Sequence, residues 1–134
     1  MNFGCKKMKT VIEQILNRRG LLEEFHQEED FQLRVENEPF MPLTVEKHGK
    51  SISITHYFEM NGDIIPDPDM ELVIGADGEW YPVAIQFATG HYREARFCKD
   101  GKEFVNPREV RDQKQFSNMW AKNIKEQGFI TAGI

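Results

Sequence analysis

Apolar residues near the start of the chain recur at the spacing of one helix face. They are Met8, Val11, Ile12, Ile15 and Leu16. This period predicts an amphipathic helix. Gly20 follows Arg18 and Arg19, which is typical of a helix end, because glycine adopts the left-handed cap and cations favour the last turn. The sequence of residues 21–25 predicts a short second helical segment. The polar residues 27–30 predict a solvent-exposed connection after it.

From Phe31 onward apolar and polar residues alternate, which is the period of β strands. The alternation predicts strands at residues 31–35, from residue 43, and at 52–58, 70–74, 80–87 and 91–97. Turn sequences separate them at residues 47–50, 60–63, 76–79, 89–90 and 99–102. Asn61-Gly62 is a strong hairpin signal because both residues tolerate positive φ. The order of strands and turns predicts an antiparallel meander of five to seven strands.

One stretch of this region interrupts the alternation. The sequence "IIPDPD" (64–69) contains Pro66 and Pro68. Proline has no backbone N–H to donate to a neighbouring strand. The stretch therefore predicts either a sheet edge or an irregular segment, and we expect a rigid, non-pairing connection before the strand at Met70.

A second long helix is predicted near the end of the chain. Asn106 suits the N-cap, Pro107 suits the first helical position, and Glu109 stands where a capping box needs an acid. The apolar stripe of this helix is predicted from Val110, Phe116, Met119, Trp120 and Ile124. Gly128 marks its end.

Helices at both ends with strands between them predict the α+β class, with both terminal helices covering one face of the sheet. The 134 residues fit a single domain, 1–134. The formal net charge of -5 disfavours direct nucleic-acid binding, which normally needs a basic excess. Cys5 and Cys98 are the only cysteines, which favours a reducing cytoplasm, and no apolar run is long enough to predict a membrane span.

Metal chemistry is one candidate, because a histidine and several acids cluster in residues 56–71. They are His56, Asp63, Asp67, Asp69 and Glu71. Their spacing fits no calcium-loop pattern, and His56 shares its strand face with Ile52, Ile54 and Phe58. A histidine on an apolar face is more often a core residue than a ligand. We therefore predict no metal and no cofactor, and a metal-dependent enzyme acting on nucleic acid or nucleotides through this segment is the alternative.

Other catalytic patterns are absent from the sequence. The Pro-Asp pair resembles the start of a nuclease motif, but no lysine stands at the required place on the next strand. Neither cysteine lies in a recognisable nucleophile motif, and the sequence has no phosphate-binding or nucleophile-elbow pattern. We therefore predict no catalytic residue and favour a protein without enzymatic activity.

A binding surface is the candidate that the residues support best. An acidic, rigid loop beside the Asn61-Gly62 turn suits a basic partner surface, and aromatic and arginine side chains on the outer sheet face are typical of interface hot spots. Simple cross-strand pairing also explains such side chains without any partner. The candidate partner-binding residues are Glu59, Asp63, Asp67, Asp69, Glu71, Tyr57, Tyr92 and Arg93. A homodimeric regulatory or structural protein that associates through a sheet edge is a further alternative.

Three stretches carry a resemblance to a family. They are "ITHYFEMNGDIIPDPDMEL", "WYPVAIQF" followed by "TGHYREA", and "QFSNMWAKNIKEQGF". Over residues 51–129 the chain resembles a family of uncharacterised small proteins, a domain of unknown function, from bacteriophages, plasmids and integrative elements. The matching features are His56-Tyr57, Asn61-Gly62-Asp63, Asp67-Pro68 before Met70, and Phe116 with Trp120.

The resemblance implies a mobile-element setting but no established activity. Small accessory proteins of such elements often interfere with host defence. We therefore expect a cytoplasmic protein that binds a host protein, most specifically an inhibitor of a host defence complex such as a CRISPR nuclease.

Overall fold

The computed structural model describes residues 3–134. Within these residues there are three helices and eight strands. The helices are α1 (Lys6–Arg18), α2 (Leu22–Gln27) and α3 (Pro107–Glu126). The strands are β1 (Asp30–Asn37), β2 (Phe40–His48), β3 (Ser51–Met60), β4 (Asp63–Ile74), β5 (Trp80–Gln86), β6 (Tyr92–Glu94), β7 (Arg96–Lys99) and β8 (Lys102–Val105).

The main sheet is an antiparallel meander. Strands β1 to β6 lie side by side in chain order and form a six-stranded sheet, while β7 and β8 form a separate two-stranded hairpin. The predicted turn at Asn61-Gly62 joins β3 to β4. The φ angle is 53° at Asn61 and 84° at Gly62. These left-handed values are the ones that the Asn-Gly signal predicts. The predicted α+β meander is confirmed.

One side of the sheet faces the helices and forms the core. The residues that lie opposite one another across β1 to β5 on this side are Leu33, Val45, Ile54, Met70 and Ile85. Buried side chains of α1 and α3 belong to the same core cluster. Both terminal helices therefore cover one face of the sheet, as predicted.

Helix α1 matches its predicted pattern. Its buried residues are Met8, Val11, Ile12, Ile15 and Leu16. Gly20 has a φ of 70, and its N–H donates to the Asn17 carbonyl at 3.1 Å, as a glycine cap should. Cys5, which precedes α1, is fully buried, and its N–H donates to the Trp80 carbonyl at 2.7 Å.

Helix α3 matches its predicted stripe except at Met119, because Val110, Trp120 and Ile124 are buried and Phe116 packs against the core. Met119 is 54% exposed, so its predicted place in the core is wrong. Gln113, Ser117 and Ala121 are buried instead. The small side chains of Ser117 and Ala121 allow α1 to approach α3 closely, and Ser117 forms a hydrogen bond with the Cys5 thiol. Gln113 instead donates from Nε2 to the Arg93 carbonyl of β6 at 3.0 Å. The pairing of the two helices thus sets which face of α3 is covered.

The proline-containing stretch at residues 64–69 belongs to β4. It pairs with β3, where Pro66 lies opposite Tyr57 and Ile64 lies opposite Glu59. The expectation of a non-pairing connection is therefore wrong. The alternative prediction, a sheet edge, holds for one side of this stretch, because β5 pairs with β4 only from Asp69 onward. Prolines are tolerated here because this half of β4 has a partner strand on one side only.

The predicted strand at residues 91–97 is divided at Ala95. Ala95 is fully buried, its N–H donates to the Val83 carbonyl at 2.7 Å, and its carbonyl accepts from the Asn106 N–H at 2.8 Å. These two bonds direct the chain away from the main sheet. The residues after Ala95 then form the β7–β8 hairpin, of which β8 was not predicted.

The last residues fold back onto the end of α1. Phe129 is fully buried. The Arg19 guanidinium donates to the carbonyls of Ile15 at 3.0 Å and Ile130 at 2.9 Å, and also to that of Ala132. We call this arrangement the Arg19 clasp. No helix within residues 3–134 combines the length and the apolar character needed to cross a membrane.

Candidate functional site

The side of the main sheet opposite the helices, which we call the open face, carries two continuous cross-strand rows. The first row runs from β1 to β6 through Arg34, Thr44, Thr55, Asp69, Gln86 and Tyr92. The second row runs through Gln32, Glu46, Ser53, Glu71, Ala84 and Glu94. All but Ala84 are polar, so the sheet presents a broad hydrophilic surface on this side.

Hydroxyl groups hold the two central carboxylates of the open face. Ser53 and Thr55 both donate to Asp69 Oδ1, at 2.8 Å and 3.0 Å. Ser51 donates to Glu71 Oε1 at 3.2 Å. Asp69 and Glu71 share a strand face, as their spacing predicts. Because they are anchored, these carboxylates lose little side-chain entropy when a partner binds them.

Two tyrosines lie beside these acids. Burial is the main factor that raises the pKa of Tyr57, and the nearby charges of Glu46 and Asp69 raise it further. Burial also raises the pKa of Tyr92, with further increases from Glu94, Glu71 and Asp69. Both phenols therefore stay neutral and able to donate a hydrogen bond at physiological pH, within an anionic surface.

Four of the eight predicted partner-binding residues meet at the centre of the open face, a fifth, Glu59, lies at its border beside Tyr57, and the other three lie elsewhere. The four that meet are Tyr57, Asp69, Glu71 and Tyr92. Asp63 is exposed at the start of β4, next to the β3–β4 turn. Glu59 borders a shallow hollow that Arg34 and Tyr57 of the open face also line.

Arg93 and Asp67 are on the helix side of the sheet. The Arg93 guanidinium pairs with Glu109 at 2.9 Å and with Asp112 at 3.8 Å, both on α3. Asp67 Oδ1 accepts from the Ala88 N–H at 3.1 Å. Neither side chain can therefore contribute to a partner contact on the open face.

His56 lies in the core, as its apolar strand face predicts. It is 7% exposed, and its Nδ1 donates to the Pro42 carbonyl at 3.2 Å. Its ring centroid lies 5.5 Å from that of Trp120 and 5.6 Å from that of Phe129. Burial lowers the pKa of this imidazole. Among residues 3–134 no three His, Cys, Asp or Glu side chains are grouped so that they could hold a metal ion.

A cationic groove between α1 and α3 was not predicted from the sequence. Its volume is about 400 Å³, and Val11 and Ala121 contribute apolar surface to it. The lysines that line it are Lys6, Lys7, Lys122 and Lys125. The helical spacing of basic residues on α3 was visible in the sequence, but their proximity to the lysines of α1 depends on how the helices pack.

The chain was compared with known families, curated proteins and solved structures. Residues 10–130 match the DUF6908 domain, a domain of unknown function. The chain belongs to the DUF6908 family. The family match begins at residue 10, so it also includes most of α1, all of α2 and the first two strands, which the sequence resemblance left out. No curated protein matches this DUF6908 chain, and no solved structure matches it.

Proposed function

We propose that this DUF6908 protein is a non-enzymatic binding protein that contacts a basic partner through the open face of its sheet. The observation that carries the proposal is the anchored pair of carboxylates, Asp69 and Glu71, with Tyr57 and Tyr92 beside them. Tyrosine is enriched among the residues that dominate binding energy at interfaces. Carboxylates steer and orient a cationic partner.

The chemistry of the face indicates the kind of partner. Glu46 and Glu94 lie in the same row as Glu71 and extend the anionic surface beyond the central pair. A protein that binds nucleic acid presents lysine and arginine to the phosphates. An acidic, rigid sheet face can occupy such a surface in place of the nucleic acid.

The biological setting is part of the same proposal. We propose a cytoplasmic protein of a phage or other mobile element, whose partner is a host protein such as the nuclease of a CRISPR defence complex. The sequence resemblance over residues 51–129 supports the setting. The acidic open face supports the choice of a nuclease as partner, because the channel in which a nuclease binds nucleic acid is basic.

The first test compares captured host proteins between matched variants. The tagged protein is incubated with lysate of its host, and bound proteins are quantified by mass spectrometry. The double substitution Asp69→Asn with Glu71→Gln removes two charges at nearly constant shape. We expect it to reduce capture of a host nuclease about tenfold or more, which corresponds to ~1.4 kcal/mol. Added salt should weaken the wild-type interaction.

The control removes the same charge elsewhere. Asp63 and Glu126 are exposed and lie outside the open-face rows, so Asp63→Asn with Glu126→Gln should leave capture unchanged. Equal loss in both double variants would show that only net charge matters. If no nuclease is captured, and the protein gives no protection in a plasmid-interference assay, the defence-inhibitor proposal fails.

The two alternatives predict different measurements. A metal-dependent enzyme should bind manganese or magnesium in a calorimetric titration and lose that binding in Asp69→Asn. A homodimer should show a concentration-dependent sedimentation coefficient. Either result would replace the binding-protein proposal with the corresponding alternative.

A further inference from the structure

A cleft of about 330 Å³ lies between α3 and the sheet, on the side opposite the open face. Residues distant in the sequence converge on it, including His56 from β3, Asp67 and Pro68 from β4, and Phe116 and Trp120 from α3. These five residues also carry much of the sequence resemblance. The proposed binding through the open face does not use any of them.

Trp120 contributes an unpaired hydrogen-bond donor to this cleft. It lines the cleft and is 4% exposed, and its indole N–H has no partner among the described residues. Buried donors are nearly always paired in native proteins. The nitrogen itself is not exposed in this structure, so an acceptor on a bound molecule reaches this unpaired N–H when the cleft wall shifts slightly around the ligand.

Asp67 contributes an acceptor to the same cleft. Its Oδ1 accepts from the Ala88 N–H at 3.1 Å, which fixes the orientation of the carboxylate. The Oδ2 atom makes no hydrogen bond within residues 3–134. It can therefore accept a hydrogen bond from a ligand.

Most of the remaining wall is aromatic or apolar. The rings of Phe87 and Phe116 meet edge to face with centroids 5.4 Å apart, and Phe116 lies 5.9 Å from Trp120. Phe40, Pro68 and two methionines add apolar surface, and Asn123 and Gln127 add polar side chains. Aromatic walls favour a planar ring, because stacking and edge contacts are strongest with another π system.

We propose that this cleft binds a planar nitrogen heterocycle of the nucleobase type. A ring nitrogen or carbonyl of the ligand accepts from the Trp120 indole N–H, and an amino or ring N–H of the ligand donates to Asp67. Ligand sites start at about 300 Å³, so the cleft accommodates one ring system, as a free base or nucleoside, and not a folded strand.

The experiment measures binding of adenosine, guanosine, cytidine and uridine to the full chain by isothermal titration calorimetry and ligand-observed NMR. We expect saturable binding of at least one nucleoside at one site per chain. Asp67→Asn should weaken it about tenfold or more, because an amide N–H then faces the ligand's donor. Trp120→Phe keeps an aromatic ring without the N–H and should weaken binding roughly three- to tenfold.

The controls separate the cleft from the fold and from nonspecific binding. The Asp67→Asn variant still offers an oxygen to the Ala88 N–H, so its melting temperature should be close to that of wild type. If Trp120→Phe unfolds, the affinity of Asp67→Asn alone decides the test. Asp63→Asn should bind as wild type does. The proposal is overturned if no nucleoside binds at millimolar concentration, if Asp67→Asn leaves affinity unchanged, or if toluene binds as tightly as the nucleosides.

Discussion

Lys47 is a core residue despite its charge. It lies on the helix side of β2, is 5% exposed, and donates from Nζ to the Phe25 carbonyl at 2.8 Å and to the Glu28 carbonyl. The same Nζ lies 5.5 Å from the centroid of the Phe25 ring. The ammonium thus satisfies carbonyls at the end of α2, where a helix leaves acceptors without partners and favours a cation.

Replacing Lys47 with methionine should destabilise the fold. Lys47→Met keeps a long apolar stem but leaves the Phe25 and Glu28 carbonyls without their donor, at a cost of about 1–3 kcal/mol. Urea unfolding followed by circular dichroism measures this cost. Lys50→Met is the matched control, because Lys50 is exposed in the next turn, and it should cost less than about 0.5 kcal/mol. Equal stability of Lys47→Met and wild type would contradict the role given to the ammonium.

His56 should make stability depend on pH. Burial holds the pKa of the folded imidazole below that of the unfolded one, which is about 6.5. The unfolded chain therefore binds more protons between these two values, and stability is lost as the pH falls through about 6.5 toward the folded pKa.

The pH prediction is checked with a variant that cannot titrate at this position. The free energy of unfolding is measured in urea at about pH 7.5 and about pH 5.5, on either side of the ordinary histidine value. Wild type should lose more stability between the two than His56→Phe does. The difference between the two proteins isolates His56 from the exposed histidines. Identical losses would mean that His56 does not titrate in this range.

At the level of elements, local sequence signals predict where helices and turns begin and end. Asn106 is such a signal at the start of α3. Its Oδ1 accepts from the N–H groups of Arg108 at 3.1 Å and Glu109 at 3.2 Å. The reciprocal half of the predicted capping box is not formed, because the Asn106 N–H donates to Ala95 and the Glu109 carboxylate pairs with Arg93.

The cap should have a measurable contribution to stability. Asn106→Ala removes the acceptor for two N–H groups and should cost about 1 kcal/mol in the free energy of unfolding. Asn106→Asp retains a capping oxygen and should cost only a small fraction of that. Chemical denaturation of both variants measures the difference. Similar losses in the alanine and aspartate variants would show that the cap hydrogen bonds are not the cause.

The sequence could not predict how the acidic residues of β4 divide between two sides of the sheet. In a regular strand, residues two apart share a face, so Asp67 and Asp69 should point the same way. The register between β3 and β4 shifts between Thr55 and Tyr57. Because of this bulge, Asp69 joins the open face while Asp67 lines the cleft on the helix side.

At the level of the whole molecule, the fold separates charges that are mixed along the chain. The open face carries fixed carboxylates, whereas lysines line the groove between α1 and α3. Alternation and turn residues were sufficient to predict the class and the meander. The positions of Lys47, Gln113 and Ser117 in the interior were not predictable, because they depend on tertiary contacts that outweigh residue type.

The charges of β1 should keep the sheet from extending between molecules. β1 pairs only with β2 and forms one edge of the sheet, and Arg34 and Glu36 are exposed on it. Charged side chains discourage pairing at an open edge. Arg34→Val with Glu36→Val should therefore raise the weight-average mass in sedimentation experiments at concentrations where wild type does not self-associate.

The control for the edge prediction makes the same change on a helix. Arg111 and Glu126 are exposed on α3, and Arg111→Val with Glu126→Val keeps the net charge equal to that of the edge variant. This control should sediment like wild type. Association of both variants to the same extent would indicate general surface hydrophobicity and not strand pairing.

The Arg19 clasp has a consequence for synthesis in the cell. Phe129 belongs to the core cluster, and residues 130 and 132 supply carbonyls to Arg19. These residues leave the ribosome after every strand of both sheets, because they follow all eight strands in the chain. The core therefore cannot close while translation is still short of this segment. The earlier strands must stay soluble until then, and chaperones can engage them from the synthesis of β1 until residues 129–132 have been made.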